Sequence, residues 1–87
     1  MNKLELARDE INRIDEEIVH LFEKRMKAVI DVINYKKENG LPILDNNREA
    51  IVIKRAINNL EDKELAKYLE EVMNTLMKVS RDYQSEL

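Results

Sequence analysis

An apolar stripe that runs unbroken through the first 35 positions constrains this chain more than any other feature. Leu4, Ala7, Ile11, Ile14, Ile18, Leu21, Arg25, Ala28, Val32 and Tyr35 follow one another at alternating intervals of three and four. That alternation is the seam of a helix packing lengthwise against another helix. No Gly or Pro interrupts it until Asn39-Gly40-Leu41-Pro42, where a glycine at the helix end and a proline beyond it stop the helix. About 35 residues rising 1.5 Å each make a rod of roughly 50 Å. A compact globule of this length is only about 30 Å across, from a radius of gyration near ~12 Å. The rod must therefore protrude, and its stripe continues into the protruding half. A second copy of the chain lying along that half is the simplest cover, so the sequence predicts a homodimer. The alternative is a helix that breaks near Arg25 and folds back as a monomeric bundle.

The remainder reads as two shorter helices. Asp45 can cap the amides of Asn47 or Arg48, and Ala50, Ile53, Ile57 and Leu60 mark an amphipathic face. Asn58-Asn59 weakens that helix. Asp62 is the expected cap of a third, whose stripe is Leu65, Leu69, Val72, Leu76, Val79 and Tyr83. The expectation is an all-α fold: one domain over residues 1–87, with helices at about 3–38, 46–58 and 62–85. No repeat, linker or low-complexity tract divides it. A single Gly, a single Pro and 38% charged residues suit a helical bundle.

Composition also excludes whole classes of chemistry. There is no cysteine, which removes disulfides, thiolate nucleophiles and zinc–thiolate sites and fits a reducing compartment. A lone histidine, His20, cannot form a His-pair metal motif, and we read it as a surface or boundary residue. No cofactor and no metal are expected. A formal charge of −3 argues against nucleic acid as partner. No apolar run approaches the ~18 residues that span a membrane. The first residues turn acidic by Glu10 without a leader-like core, so the cytoplasm is the expected location.

Several polar residues stand out against the stripes. Arg25 occupies a seam position, where an unpaired buried charge is costly. It either pairs with a carboxylate such as Asp15 or Glu70, snorkels, or points into a pocket that awaits an anion. Lys36 lies three turns further on nearly the same face, about 16 Å along the axis. It either complements the dipole of the last turn or closes on the same small ligand. Arg8 is about 25 Å from Arg25 along the rod, too far to meet that ligand within one straight helix. In an antiparallel dimer of rods it could reach the partner's site; otherwise it is a surface residue. Arg48-Glu49 sit in the first turn of the second helix, where a glutamate suits the helix dipole. Ser80 and Gln84 are one turn apart, aligned with Met73 and Met77, as expected at the edge of a core.

Taken together these residues resemble the all-helical AroQ-type chorismate mutases. The resemblance rests on Leu6-Ala7-Arg8-Asp9-Glu10-Ile11-Asn12-Arg13-Ile14-Asp15, on Ile18, Leu21 and Glu23-Lys24-Arg25, and on Lys36, Pro42-Ile43, Asp45, Arg48-Glu49 and Ser80-x-x-x-Gln84. It covers nearly the whole chain, and the Asp-x-x-Arg-Glu cluster is its most specific piece. It implies three helices with a very long first one, in an intertwined homodimer with two sites. It implies that Arg8 reaches the partner's site and that Arg25 clamps the other carboxylate of chorismate. Lys36 and Gln84 would face the ether oxygen, Glu49 and the backbone near Asp45 would hold the ring hydroxyl, and Arg48 and Ser80 would complete the polar lining. Arg81, following Ser80 where an apolar pocket residue is expected, is the one departure.

The chemistry suits these residue types. Chorismate is a dianion that rearranges to prephenate in one unimolecular step, breaking a C–O bond and forming a C–C bond. Nucleophile, metal and redox group are all dispensable. What remains is holding the side chain over the ring, a task for carboxylate–arginine clamps. Negative charge growing on the ether oxygen then needs fixed donors, here Lys36 and Gln84. Two rivals stay open: an isochorismate-pyruvate lyase of the same fold, and a non-catalytic helical dimerisation or regulatory module. Glu49 and Ser80 favour the mutase over the lyase. A dimerisation module has no need of Arg25 inside a stripe, or of Lys36, Glu49 and Gln84 at these spacings.

Overall fold

A computed structural model describes residues 1–87 as three α-helices: α1 over Lys3–Glu38, α2 over Asn46–Asn59 and α3 over Ala66–Glu86. The chain is all-α, as the periodicity predicts. Helix α1 runs without a break through Arg25, which excludes the folded-back monomeric bundle. Its start is capped by Asn2, whose side-chain oxygen accepts from the Glu5 amide at 2.9 Å. Its end is the glycine-type stop read from the sequence. Gly40 takes φ +65°, and the Leu41 amide reaches back to the Lys36 carbonyl at 2.8 Å. This closes the last turn with a six-to-one hydrogen bond.

Helix α2 begins at Asp45, whose carboxylate accepts from the Arg48 amide at 3.0 Å. It ends where Asn58 and Asn59 no longer favour it, and the Lys63 ammonium takes up the freed carbonyls of Ile57 and Asn58. The third helix starts later than its apolar spacing predicts. Asp62 does cap, accepting from the Glu64 amide at 3.0 Å, but it caps a short 3-10 turn over Lys63–Leu65. The α-helix takes over at Ala66. A 3-10 turn of this kind is a common helix entry, and apolar periodicity alone does not distinguish the two.

Helix α3 packs against both α2 and the C-terminal half of α1. The buried apolar residues are Val29, Ile33 and Met77. The α1 members lie one position beside the long stripe: Val29 and Ile33 face α3, while Ala28, Val32 and Tyr35 stay exposed in the single chain. The C-terminal half of α1 thus carries two adjacent apolar faces. Its N-terminal half carries one, and nothing within the chain covers it. Every residue from Lys3 to Lys24 is exposed, with Ile18 at 55% and Leu21 at 60%. The molecule measures 56 × 25 × 16 Å, and its radius of gyration is 16.1 Å. A globule of this length would have about 12 Å.

Candidate functional site

One cleft of about 240 Å³ opens where the three helices meet. Its wall on α1 is Arg25, Ala28, Val29, Val32 and Lys36; the connecting loop adds Ile43 and Asp45; α2 adds Arg48, Glu49 and Val52; α3 adds Met77, Ser80, Arg81 and Gln84. Seven of the eight residues singled out from the sequence are therefore brought together. Arg8 is not: it lies in the uncovered half of α1, far from this cleft.

Helix geometry explains the convergence. Arg25, Val29 and Lys36 fall on one face of α1, so the helix that buries Val29 against α3 aims both cations into the cleft. Arg25 is half-buried and donates to Ser80 Oγ, which itself donates to the Leu76 carbonyl at 2.8 Å. It forms no ion pair; neither Asp15 nor Glu70 reaches it, since the chain's two salt bridges are Lys78–Asp82 and Arg81–Glu49. A guanidinium carries five donors, and the Ser80 hydroxyl engages one side of it. Its charge is free for an anion.

Lys36 is also unpaired. Its ammonium donates to the Ile43 carbonyl at 2.7 Å, tying the loop to α1 and holding the cation at the cleft wall. Arg48 is exposed at the rim, one turn into α2, without a side-chain hydrogen bond or ion pair. Asp45 combines two tasks, capping α2 and lining the cleft.

Ser80 and Gln84 go deeper than the core-edge positions expected of them, each 7% exposed. One turn apart on α3, they face the cleft side by side. Ser80 is fully engaged. Gln84 is not: its Oε1 is buried without a hydrogen-bond partner. Buried amide atoms without partners are uncommon, because they forfeit hydration without replacing it. A half-turn of the amide exchanges its oxygen and nitrogen, so the same position can present an N–H donor.

Arg81 occupies the position where an apolar residue was expected, and its guanidinium pairs with the Glu49 carboxylate across the cleft. Both side chains are partly buried, at 31% and 26% exposure. No periodicity links residues on different helices, so this pair could not be read from the sequence. Neither could the loop carbonyl of Ile43. His20 is exposed, in a shallow depression with Arg13, Glu16, Glu17 and Leu21, away from the cleft. No three His, Cys, Asp or Glu side chains are grouped to hold a metal ion.

The cleft is thus cationic, polar at one end, apolar along Ala28, Val29, Val32 and Val52, and of small-molecule size. Four cations against two carboxylates leave two positive charges in surplus.

Comparison with known proteins places this architecture. A bifunctional chorismate mutase/prephenate dehydratase from Buchnera aphidicola subsp. Schizaphis graminum is 42% identical over 57 residues, 66% of this chain and 15% of that protein. A T-protein from Haemophilus influenzae is 32% identical over 81 residues, 92% of this chain and 22% of that one. The chain therefore spans less than a quarter of either relative. A solved structure, a conserved hypothetical protein from Pyrococcus furiosus, superposes with a TM-score of 0.79 at 33% identity, covering 97% of both chains. The family model for chorismate mutase type II matches residues 7–85, all three helices and every wall of the cleft, and the chain belongs to that family.

Proposed function

We propose that this chain is a chorismate mutase, converting chorismate to prephenate in the biosynthesis of phenylalanine and tyrosine. The single observation that carries the reading is the cleft itself. Arg25, Lys36 and Arg48, none with an ion-pair partner, line the cleft with Gln84, whose buried Oε1 has no hydrogen-bond partner.

In this reading the dianion enters the cationic cleft. Arg25 grips one carboxylate, its guanidinium held by Ser80 so that little side-chain freedom is lost on binding. The partner protomer's Arg8 grips the other, and the two clamps fold the enolpyruvyl side chain over the ring. The C–O bond breaks as the C–C bond forms, with no proton transferred and no covalent intermediate. Charge gathering on the ether oxygen meets Lys36 and the Gln84 amide, both positioned before the reaction begins. The only hydrogen-bond donor on the dianion is its ring hydroxyl. Ionised Glu49, which can only accept, suits that hydroxyl, with the backbone near Asp45 beside it. Arg48 closes the rim. No cofactor takes part.

The whole of residues 1–87 acts as one domain in a homodimer with two shared sites, and the cytoplasm is its proposed location. No helix is long and apolar enough to cross a membrane. An isochorismate-pyruvate lyase of this fold is disfavoured by Glu49 and Ser80. A non-catalytic module is disfavoured by cations without an ion-pair partner gathered in one cleft beside an unsatisfied Gln84 oxygen, an arrangement that dimerisation alone does not require.

The test is direct. Purified protein incubated with chorismate should deplete its diene absorbance and yield prephenate, identified by mass. Formation of salicylate and pyruvate from isochorismate alone would select the lyase, and no prephenate above the uncatalysed rate would sink the assignment.

A further inference from the structure

We propose that Arg81 is a positioning residue for Glu49, neutralising and aiming that carboxylate so that the cleft can admit a dianion; this rests on the mutase reading above. Glu49 is a carboxylate inside a site built to attract negative charge. Left unpartnered, it would repel the incoming carboxylates across a part-buried space. Arg81 removes that conflict. It comes from α3 while Glu49 comes from α2, and the two side chains meet over the cleft rather than at the protein surface. The pairing also decides the charge balance of the site. With Arg81 this chain's own lining carries a surplus of two positive charges; without it the surplus would be one.

Position on the helix supports the same role. Ser80 and Arg81 are consecutive, and each engages a different wall: Ser80 holds Arg25 of α1, Arg81 holds Glu49 of α2. One turn of α3 therefore orients two opposed groups of the site, a cation and a carboxylate. A carboxylate has four lone-pair directions, so an Arg81 contact through Oε2 leaves Oε1 free to accept the substrate hydroxyl. Arg81 acts through Glu49 in this arrangement and needs no contact with substrate.

The experiment is a double-mutant cycle on chorismate with R81M, E49Q and R81M/E49Q, with R81K as the conservative variant, each checked by circular-dichroism melting. Wild-type turnover of chorismate is the first arm; if it fails, the mutase reading falls on its own, before the variants are compared. Given turnover, R81M should raise KM about tenfold with kcat within about twofold, because the conflict is with binding an anion. R81K, which keeps the charge, should recover most of that loss. In the E49Q background the carboxylate that Arg81 pairs with is gone, and R81M should change KM by less than about twofold. An undiminished R81M effect in that background would mean that Arg81 touches substrate itself. An unchanged KM in R81M would mean that Glu49 needs no partner. A fall in kcat and melting temperature together, unrescued by R81K, would mean a purely structural pair. Any of these three overturns the proposal. Should R81M not fold, R81Q keeps a polar side chain without the charge, and the same cycle decides.

Discussion

Gln84 is the residue whose environment most narrows the chemistry. Its carbonyl oxygen is buried and unsatisfied, yet nothing about its place on α3 requires an amide for packing. A glutamine donates at every pH, so activity should be flat through the neutral range. In Q84E the introduced carboxyl donates only when protonated. Activity should then survive at low pH, disappear as pH rises through that titration, and fall by about 10²-fold at neutral pH. A pH–rate profile of wild type and Q84E decides it, and an unchanged profile would remove Gln84 from the reaction. At this scale the sequence was informative about identity and silent about state. Arg25 was conspicuous because a charge interrupts an apolar stripe, and Gln84 because it follows Ser80 by one helical turn. That Arg25 is held by Ser80 rather than paired to Asp15 or Glu70 depends on which helices meet, and no spacing encodes that. Arg81 stands out in the sequence only as a misfit, because its partner Glu49 is on another helix.

Among the elements, α1 holds the most instructive discrepancy. Its stripe is real and continuous, but the intrachain core uses Val29 and Ile33, beside the stripe. Ile33 is the most buried apolar residue, 2% exposed, and should be the one on which the protomer depends. Ile33→Ala should cost about 2–4 kcal/mol in urea unfolding, from lost burial and the cavity left behind. The loop after α1 depends instead on a backbone angle. Gly40 has open space where a Cβ would stand, so the strain of Gly40→Ala is conformational rather than steric contact with neighbours. At φ +65° an L-residue loses about 1–2 kcal/mol, seen as a lower melting temperature. Lys36 and Asp45 flank this loop, so its stop signal also sets the distance between two walls of the site. Termination of α1 was legible because Gly and Pro act locally. The 3-10 entry to α3 was not, because Asp62 caps either kind of turn.

For the whole molecule, the uncovered half of α1 is the governing fact. Leu4, Ile11, Ile14, Ile18 and Leu21 present a continuous apolar face with no intrachain partner, and contiguous apolar patches of this kind mark interaction surfaces. A second copy running antiparallel would cover it with the same residues and carry Arg8 toward the partner's cleft. Ile14→Asp, set in the middle of that face, should convert the proposed dimer to monomer in sedimentation equilibrium and abolish turnover together with it. Arg8→Ala and Arg25→Ala should each be nearly inactive alone. Mixed and refolded in equal amounts, they should regain about a quarter of wild-type activity, one intact site in half of the dimers. No recovery from heterodimers shown to form would mean that Arg8 does not cross over.

The sequence by itself determined the three helices, the length of the first and most of the residues gathered at the cleft. Those features follow from local rules: helical periodicity, caps, and the cost of a charge on an apolar face. Only the tertiary structure decided which face of α1 meets α3. It also decided that Ser80 holds Arg25 and that Arg81 answers Glu49. Two apolar faces lie side by side on one rod, and periodicity cannot rank them. Contacts between helices depend on packing angles and side-chain reach that no single segment contains. Tertiary structure was needed for the same reason to turn separated charges into one cationic cleft with a free amide at its end.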